Sequence, residues 1–480
     1  MDPRPRIVLA NRAFVDHAAA PGEGARTEVP PGGLLAALRP LIEPWDGSQG
    51  TTWIGAGRGE FDRAWTDDRG YEFVPTPRGP LRHRRIYLDN PTWQGHYAAV
   101  ANSFLWPLVH LVRRPLPLLT DYYPFPAIPS DGQWDAYRWV NELFAAAVVE
   151  EEPGQTCWVH DYQLALAPAF LRRYGFRGAV GFFLHTPYPD ATIATGVLEP
   201  RGMHLVREWT RGMLAADVVG VQTEGDRERL LEAARIFGSS GALPRIIVCP
   251  VGIDCDDVDA AAAAAGLPPT LDEVADRSLP LVVGLERADF TKGIPERMRS
   301  VARLLDAGAR FNYVGVAAPT RRGIRAYTRF DSNLHAAAGI AEAAGQRAGV
   351  SVIHSEEALG WPGVVALQRQ ADVVFTSSLS DGMNLVPLQA AVAQAGRSLA
   401  ERAVLITGED AGVASAFPGF EPDGLVPVDP LDPVNMDATL AAALRGEPGR
   451  VSERLIAEVR RRDARAWASA FLSELEGVRC

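Results

Sequence analysis

Residues Ala371–Ala391 read ADVVFTSSLSDGMNLVPLQAA. The apolar run Ala371–Thr376 predicts a short buried strand, the Gly-containing turn that follows breaks it, and a helix opens near Asn384. An acid, Asp381, and a glycine, Gly382, thus stand at the carboxyl end of a strand. In parallel sheets that is where loops meet helix N-termini and ligands bind.

The same unit recurs along the chain. Strands are expected at 6–10, 51–54, 156–160, 179–185, 218–222 and 245–249, then at 279–285, 311–317, 351–354, 373–376 and 403–406. Helical patterns fall between them, among them 31–42, 133–149, 295–305 and 364–370. Alternation of this kind means βαβ units and parallel sheets, hence an α/β protein. A chain of 480 residues exceeds one ordinary core, so two doubly wound domains are expected. Residues 1–255 would form the first and 279–451 the second, with 256–278 (AAAAAGLPPT at its centre) between them. The charged segment 452–480 would be a helix packing back across both.

Composition narrows the class. Apolar residues make up 47% and charged residues 22% of the chain, and the net charge is −11. That is globular composition, and it gives nucleic acid no electrostatic welcome. No window approaches a membrane span, the N-terminus MDPRPRIVLANR does not read as a signal peptide, and the four cysteines form no CxxC pair. A cytoplasmic protein with small-molecule partners is expected, with no membrane or nucleic-acid partner. No metal-ligand spacing, GxSxG elbow or P-loop occurs, and IGAGRGE (Ile54–Glu60) has the wrong spacing for a dinucleotide loop. The oligomeric state stays open, a homo-oligomer included.

Strand ends carry the chemistry. GLERADFTKGIPER puts Arg287 and Lys292 around a turn, a good diphosphate site, or else a solvated surface pair. PGGLLAAL puts Gly32 and Gly33 at a helix start, where backbone N–H groups could face an anion, or a plain turn could stand. His185, in HTPYP, is either aimed by its flanking prolines or a core histidine. Asp161, in HDYQ, is either a ligand contact or a helix N-cap. Polar groups from both halves converge on one side, which makes the inter-domain cleft the expected site.

Taken in order, ANR, PGGLLAAL, YAAVANSFLWPLVH, WVHDYQLALAP, GFFLHTPYP, LERADFTKGIPER, APTRRGIRAY and SDGMNLV resemble the trehalose-6-phosphate synthase family. Those are retaining glycosyltransferases of GT-B architecture, with two Rossmann-like domains facing a central cleft. The resemblance implies transfer of glucose from an NDP-glucose (UDP- or GDP-glucose) to glucose 6-phosphate, with no cofactor and no metal. It implies that Arg287 and Lys292 hold the donor diphosphate, with Gly33 beside Gly32 giving backbone contacts. Asp381, Gly382, Met383, Asn384, Leu385 and Val386 would receive the donor sugar and diphosphate, and His185 would touch the sugar near its 6-hydroxyl. Arg12, Tyr97, Trp106 and Arg322 would bind the phosphorylated acceptor, and Asp161 its hydroxyls near the reacting centre.

Three departures from the family pattern bear on substrate choice. Gln389 replaces the usual ribose-binding glutamate, with Ser380 in place of an arginine before the Asp-Gly pair. Ala56 stands where a tryptophan usually lies against the acceptor glucose. Pro387-Leu388 replaces Ala-Lys, with Pro387 expected in the first helical turn, where its missing N–H is tolerated. The alternatives are a transferase or pseudo-glycosyltransferase using another phosphorylated acceptor, such as an aminocyclitol or glycerol phosphate, and a non-catalytic sugar-phosphate-binding paralogue.

Overall fold

A computed structural model of the chain describes residues 6–20, 24–30, 32–46, 49–114, 119–151, 155–237, 242–264, 266, 271–321, 323–447 and 449–478. The chain divides into two compact units: Met1–Val109 with Pro126–Val251 and Ala464–Cys480, and His110–Phe125 with Gly252–Asp463. Residues 110–125, expected with the first domain, cluster with the second.

The first unit is built on an eight-stranded sheet. Its strand order is Arg245–Val248, Val218–Val221, Val180–Phe183, Cys157–His160, Ile7–Arg12, Thr52–Gly57, Gly79–Tyr87 and Tyr71–Thr76. All neighbours are parallel except the last pair. The central strands are buried on both faces, which is why they read as unbroken apolar runs.

Two strands here were not expected, because Gly79–Tyr87 carries the charged run Arg82-His83-Arg84-Arg85. Those charges are satisfied from elsewhere: Glu72 accepts from His83 and Arg85, and Asp62 pairs with Arg85. A small antiparallel hairpin, Asp16–Ala20 with Gly24–Glu28, is likewise new.

The second unit holds a six-stranded, wholly parallel sheet ordered Val352–Ser355, Asn312–Pro319, Leu281–Ala288, Val373–Phe375, Val404–Gly408 and Leu425–Val428. The unexpected strand Leu425–Val428 contains Pro427, tolerated because it lies at the sheet edge. The alanine run expected between the domains is mostly helix, Cys255–Ala264, burying Cys255, Val258 and Ala261. Alanine's helix propensity outweighs the boundary signal of the Gly and Pro residues that follow.

The C-terminal segment forms two helices rather than one. Glu453–Arg461 belongs to the second unit and Ala464–Gly477 to the first, with Arg462 leaving helical geometry between them (φ −106°, ψ 39°). In the first unit Trp467 and Phe471 cover Trp158 at 5.0 and 4.8 Å between ring centroids. Gly181 and Gly220 make the room: a Cβ on either would approach Phe471 to 2.7 or 2.9 Å.

Candidate active site

In the second unit, two loops at adjoining strand ends are knitted together. Leu281–Ala288 ends in Arg287, then Asp289 caps the turn Phe290–Lys292 by accepting the Thr291 N–H at 3.1 Å. Val373–Phe375 runs into the buried stretch Thr376–Ser380. Ser377 Oγ donates toward the Lys292 and Gly293 carbonyls at 3.1 and 2.9 Å, and the Leu379 N–H donates to the Thr291 carbonyl at 2.7 Å. Gly293 is left-handed (φ 59°), and a Cβ there would lie 2.1 Å from the Ser377 carbonyl oxygen. Only glycine fits so close an approach.

This frame sets the Lys292 ammonium on the Asp381 carboxylate, an ion pair with side chains 11% and 16% exposed. Arg287 stands exposed and makes no hydrogen bond or ion pair among the described residues. Asp289, fully buried, accepts from Arg321 and from Tyr327 Oη (2.8 Å). Burial would raise its pKa, but the Arg321 and Arg287 guanidinium groups outweigh that and bring it down to about 2.

Asn384, a non-glycine, also holds a positive φ (59°). Its side chain reaches back to Ser378 Oγ at 3.2 Å and accepts the Val386 N–H at 3.3 Å, which starts the helix Val386–Ala393. Gly382 and Met383 are buried, while Leu385 and Val386 are half-buried. Pro387 falls in the first turn as expected. Gln389 is half-buried and its side-chain amide makes no hydrogen bond among the described residues, so both amide atoms are available to a ligand. Arg322 lies outside the described residues.

In the first unit, Asp161 and His185 are neighbours at the ends of adjacent strands. Asp161 holds φ 72°, rare for a non-glycine and a mark of local constraint. It occupies the N-cap position of the turn Tyr162–Leu164, yet its side chain does not cap. The carboxylate accepts the His185 N–H instead, at 3.2 Å. The His185 ring lies against Phe183 (4.6 Å) and beside His160 (Nε2···Nδ1 3.1 Å). Burial pushes its pKa down to about 3, so the ring is neutral.

Arg12, exposed at the end of Ile7–Arg12, reaches Tyr97 Oη at 3.4 Å. Tyr97 sits in a twelve-residue π-helix, Gln94–Leu105, and stacks on Trp93 at 4.6 Å. Trp106, next along the chain, is buried and packs against Tyr162 at 5.7 Å. Ala56 is buried on the strand beside Arg12, its register partner. Gly32 and Gly33 open the short helix Gly33–Leu38, but Gly32 is extended (φ 162°) with open space where a Cβ would go. No described residue demands glycine there.

Three features escaped sequence reading. The π-helix has no distinguishing local signal in YAAVANSFL, though such turns cluster at functional sites. Glu286, beside Arg287, forms a fully buried ion pair with Arg297, which also donates to the Phe375 carbonyl (2.9 Å) and lies 3.3 Å from Ser377 Oγ. That pair ties the strand Leu281–Ala288 to the segment that follows Val373–Phe375. His160 is the third. Among the described residues no group of three or more His, Cys, Asp or Glu is placed to hold a metal ion. No described helix is long and apolar enough to cross a membrane.

A family profile described as Glycosyltransferase family 20 matches residues 25–477. The chain is 28% identical to an Arabidopsis thaliana UDP-forming alpha,alpha-trehalose-phosphate synthase over 494 residues, 98% of this chain and 49% of the plant protein. It thus spans about half that relative's length. A trehalose-6-phosphate synthase of Mycobacterium avium (strain 104) is 28% identical over 98% of this chain and 94% of its own length. A crystal structure of a UDP-forming trehalose-phosphate synthase from Burkholderia vietnamiensis superposes with a TM-score of 0.79 at 25% identity, covering 99% of this chain and all of that one.

Proposed function

The chain belongs to glycosyltransferase family 20, and from that premise we propose that it transfers glucose, with retention, from UDP-glucose to glucose 6-phosphate, releasing UDP and trehalose 6-phosphate. The observation that carries the reading is the convergence of Arg287, Lys292 and Asp381 at adjoining strand ends. Breaking a glycosyl–diphosphate bond develops negative charge on the leaving group, and two fixed cations are the means of stabilising it.

Donor binding exchanges partners at the Lys292–Asp381 pair. The ammonium turns to the diphosphate, and the carboxylate is released to accept a sugar hydroxyl. Arg287 closes on the same phosphates, assisted by backbone N–H groups at Gly33 and along Gly382–Val386 and by the dipole of the helix Val386–Ala393. Gln389 bonds the ribose diol with a neutral amide, a weaker contact than a carboxylate gives. Arg12 and Arg322 hold the acceptor phosphate, with Tyr97 and Trp106 walling its site and Asp161 taking acceptor hydroxyls. As the bond from C1 to the phosphate oxygen breaks, the acceptor oxygen bonds C1 from the same face and its proton passes to the departing phosphate. No cofactor is drawn into any step. The reading places the reaction in the cytoplasm, with small molecules as the only partners.

A second reading is favoured by one observation, the small buried Ala56 beside Arg12. With no large ring there, the acceptor pocket suits a differently shaped sugar or polyol phosphate, such as an aminocyclitol phosphate. The test crosses UDP-, GDP- and ADP-glucose with glucose 6-phosphate and a panel of cyclitol and polyol phosphates, the product identified by mass spectrometry. Release of UDP that requires glucose 6-phosphate and yields a non-reducing disaccharide phosphate is the expected result. Turnover only with another acceptor establishes the second reading, and no turnover with any pair removes both.

A further inference from the structure

His160 is wholly buried, its Nδ1 3.1 Å from His185 Nε2 and its own Nε2 without a partner among the described residues. We propose that His160 is a positioning residue that holds His185 in the tautomer protonated on Nδ1, so that His185 presents an N–H donor to a hydroxyl of the bound sugar.

Both rings are neutral, since burial holds each well below the ordinary histidine range. One proton therefore lies between His160 Nδ1 and His185 Nε2, and two arrangements exist. If His185 donates, the His160 proton must sit on Nε2, as a buried N–H without an acceptor. If His160 donates, Nε2 is a bare acceptor.

The surroundings decide between them. His160 packs against Trp158 (4.5 Å) and Trp467 (6.4 Å), whose indole nitrogens are themselves buried and unpartnered. An indole can only donate. Neither ring thus offers an acceptor, so an N–H on His160 Nε2 would be a stranded donor, whereas a bare Nε2 strands no proton. Unpaired buried donors are also the rarer defect in proteins. So His160 donates, His185 Nε2 accepts, and the remaining His185 proton is on Nδ1, which makes no hydrogen bond among the described residues.

The clamp around His185 supports a directional role. Asp161 takes its backbone N–H at 3.2 Å, Gln222 Nε2 lies 3.5 Å from its carbonyl, and Phe183 and Trp467 flank the ring at 4.6 and 5.8 Å. The sugar half of the inference rests on the proposed contact between His185 and the donor glucose near its 6-hydroxyl.

Nitrogen-15 NMR of the full chain, labelled at its nine histidines, reads the tautomer directly, with His185 assigned through His185→Gln. Wild type is expected to show His185 protonated on Nδ1. His160→Asn, whose amide replaces Nδ1 as a donor, keeps that state, and His160→Phe loses it. A wild-type His185 protonated on Nε2 overturns the proposal, whether or not the Phe variant folds. Kinetics supply the second arm, comparing UDP-glucose with its 6-deoxy analogue. Wild type and His160→Asn should prefer the hydroxylated donor by about tenfold in kcat/KM, and His160→Phe should not. A wild-type ratio near one alongside an Nδ1–H spectrum rejects the sugar contact and leaves the tautomer assignment standing.

Discussion

Lys292 and Asp381, 89 residues apart in sequence, form an ion pair at the ends of neighbouring strands, mostly shielded from water. Removing either partner leaves the other charge uncompensated in a poorly solvated place. Lys292→Ala and Asp381→Ala are each expected to cost about 1–3 kcal/mol in urea unfolding, and the double variant less than the sum. All three should lose two or more orders of magnitude in turnover. Additive stability losses would show that the pair does not exist in solution.

Arg287 gives the opposite pattern. It is exposed and makes no hydrogen bond or ion pair among the described residues, so, with only its field on Asp289 lost, Arg287→Ala should cost no more than about 1 kcal/mol of stability. Turnover should nevertheless fall by roughly two or more orders of magnitude if the guanidinium stabilises the leaving diphosphate. Arg287→Lys, which keeps the charge but loses the bidentate fork, should lie between. Turnover of Arg287→Ala within a few-fold of wild type removes the residue from the mechanism.

Where physics is local, the sequence was readable. The central strands announce themselves as apolar β-branched runs because both their faces are covered, and Arg287, Lys292 and Asp381 follow from the rule about strand ends. The strand Gly79–Tyr87 did not, because Arg85 is made tolerable by Asp62 and Glu72, partners brought in by the fold. His160 was passed over for the same reason: its meaning lies in His185, 25 residues on, and in Trp467 from the C-terminal helix. That Asp161 follows a strand was legible, but its positive φ and its bond to His185 were not.

Gly293 tests how tightly the loop after Lys292 is built. Its left-handed φ and the 2.1 Å approach of a would-be Cβ to the Ser377 carbonyl both oppose any side chain. Gly293→Ala should therefore destabilise by about 2 kcal/mol or more, beyond the usual penalty for φ alone. Because Ser377 also bonds the Lys292 carbonyl, turnover should fall with it. A variant of wild-type stability, measured by urea midpoint, would contradict this loop geometry.

Acid should destabilise the protein well above the carboxylate range. His96 and His160 are fully buried, and burial lowers His96 to about 3 and His160 well below its ordinary value. Both are neutral when folded but protonate near pH 6.5 when unfolded. Below about pH 6.5 the unfolded chain thus binds about two more protons at these sites, so stability falls as pH drops through that point and is fully present above it. These two groups alone give a slope of about 2.7 kcal/mol per pH unit, or about 4 kcal/mol lost between pH 7 and pH 5. His185, also lowered to about 3, acts in the same direction. His96 Nε2 meets Asn11 Oδ1 at 2.8 Å, a bond that His96→Gln can replace without a titrating group. That variant should lose about one proton of the slope. Urea midpoints at pH 5, 6 and 7 measure it, and a flat profile would mean these imidazoles are solvated in the folded protein.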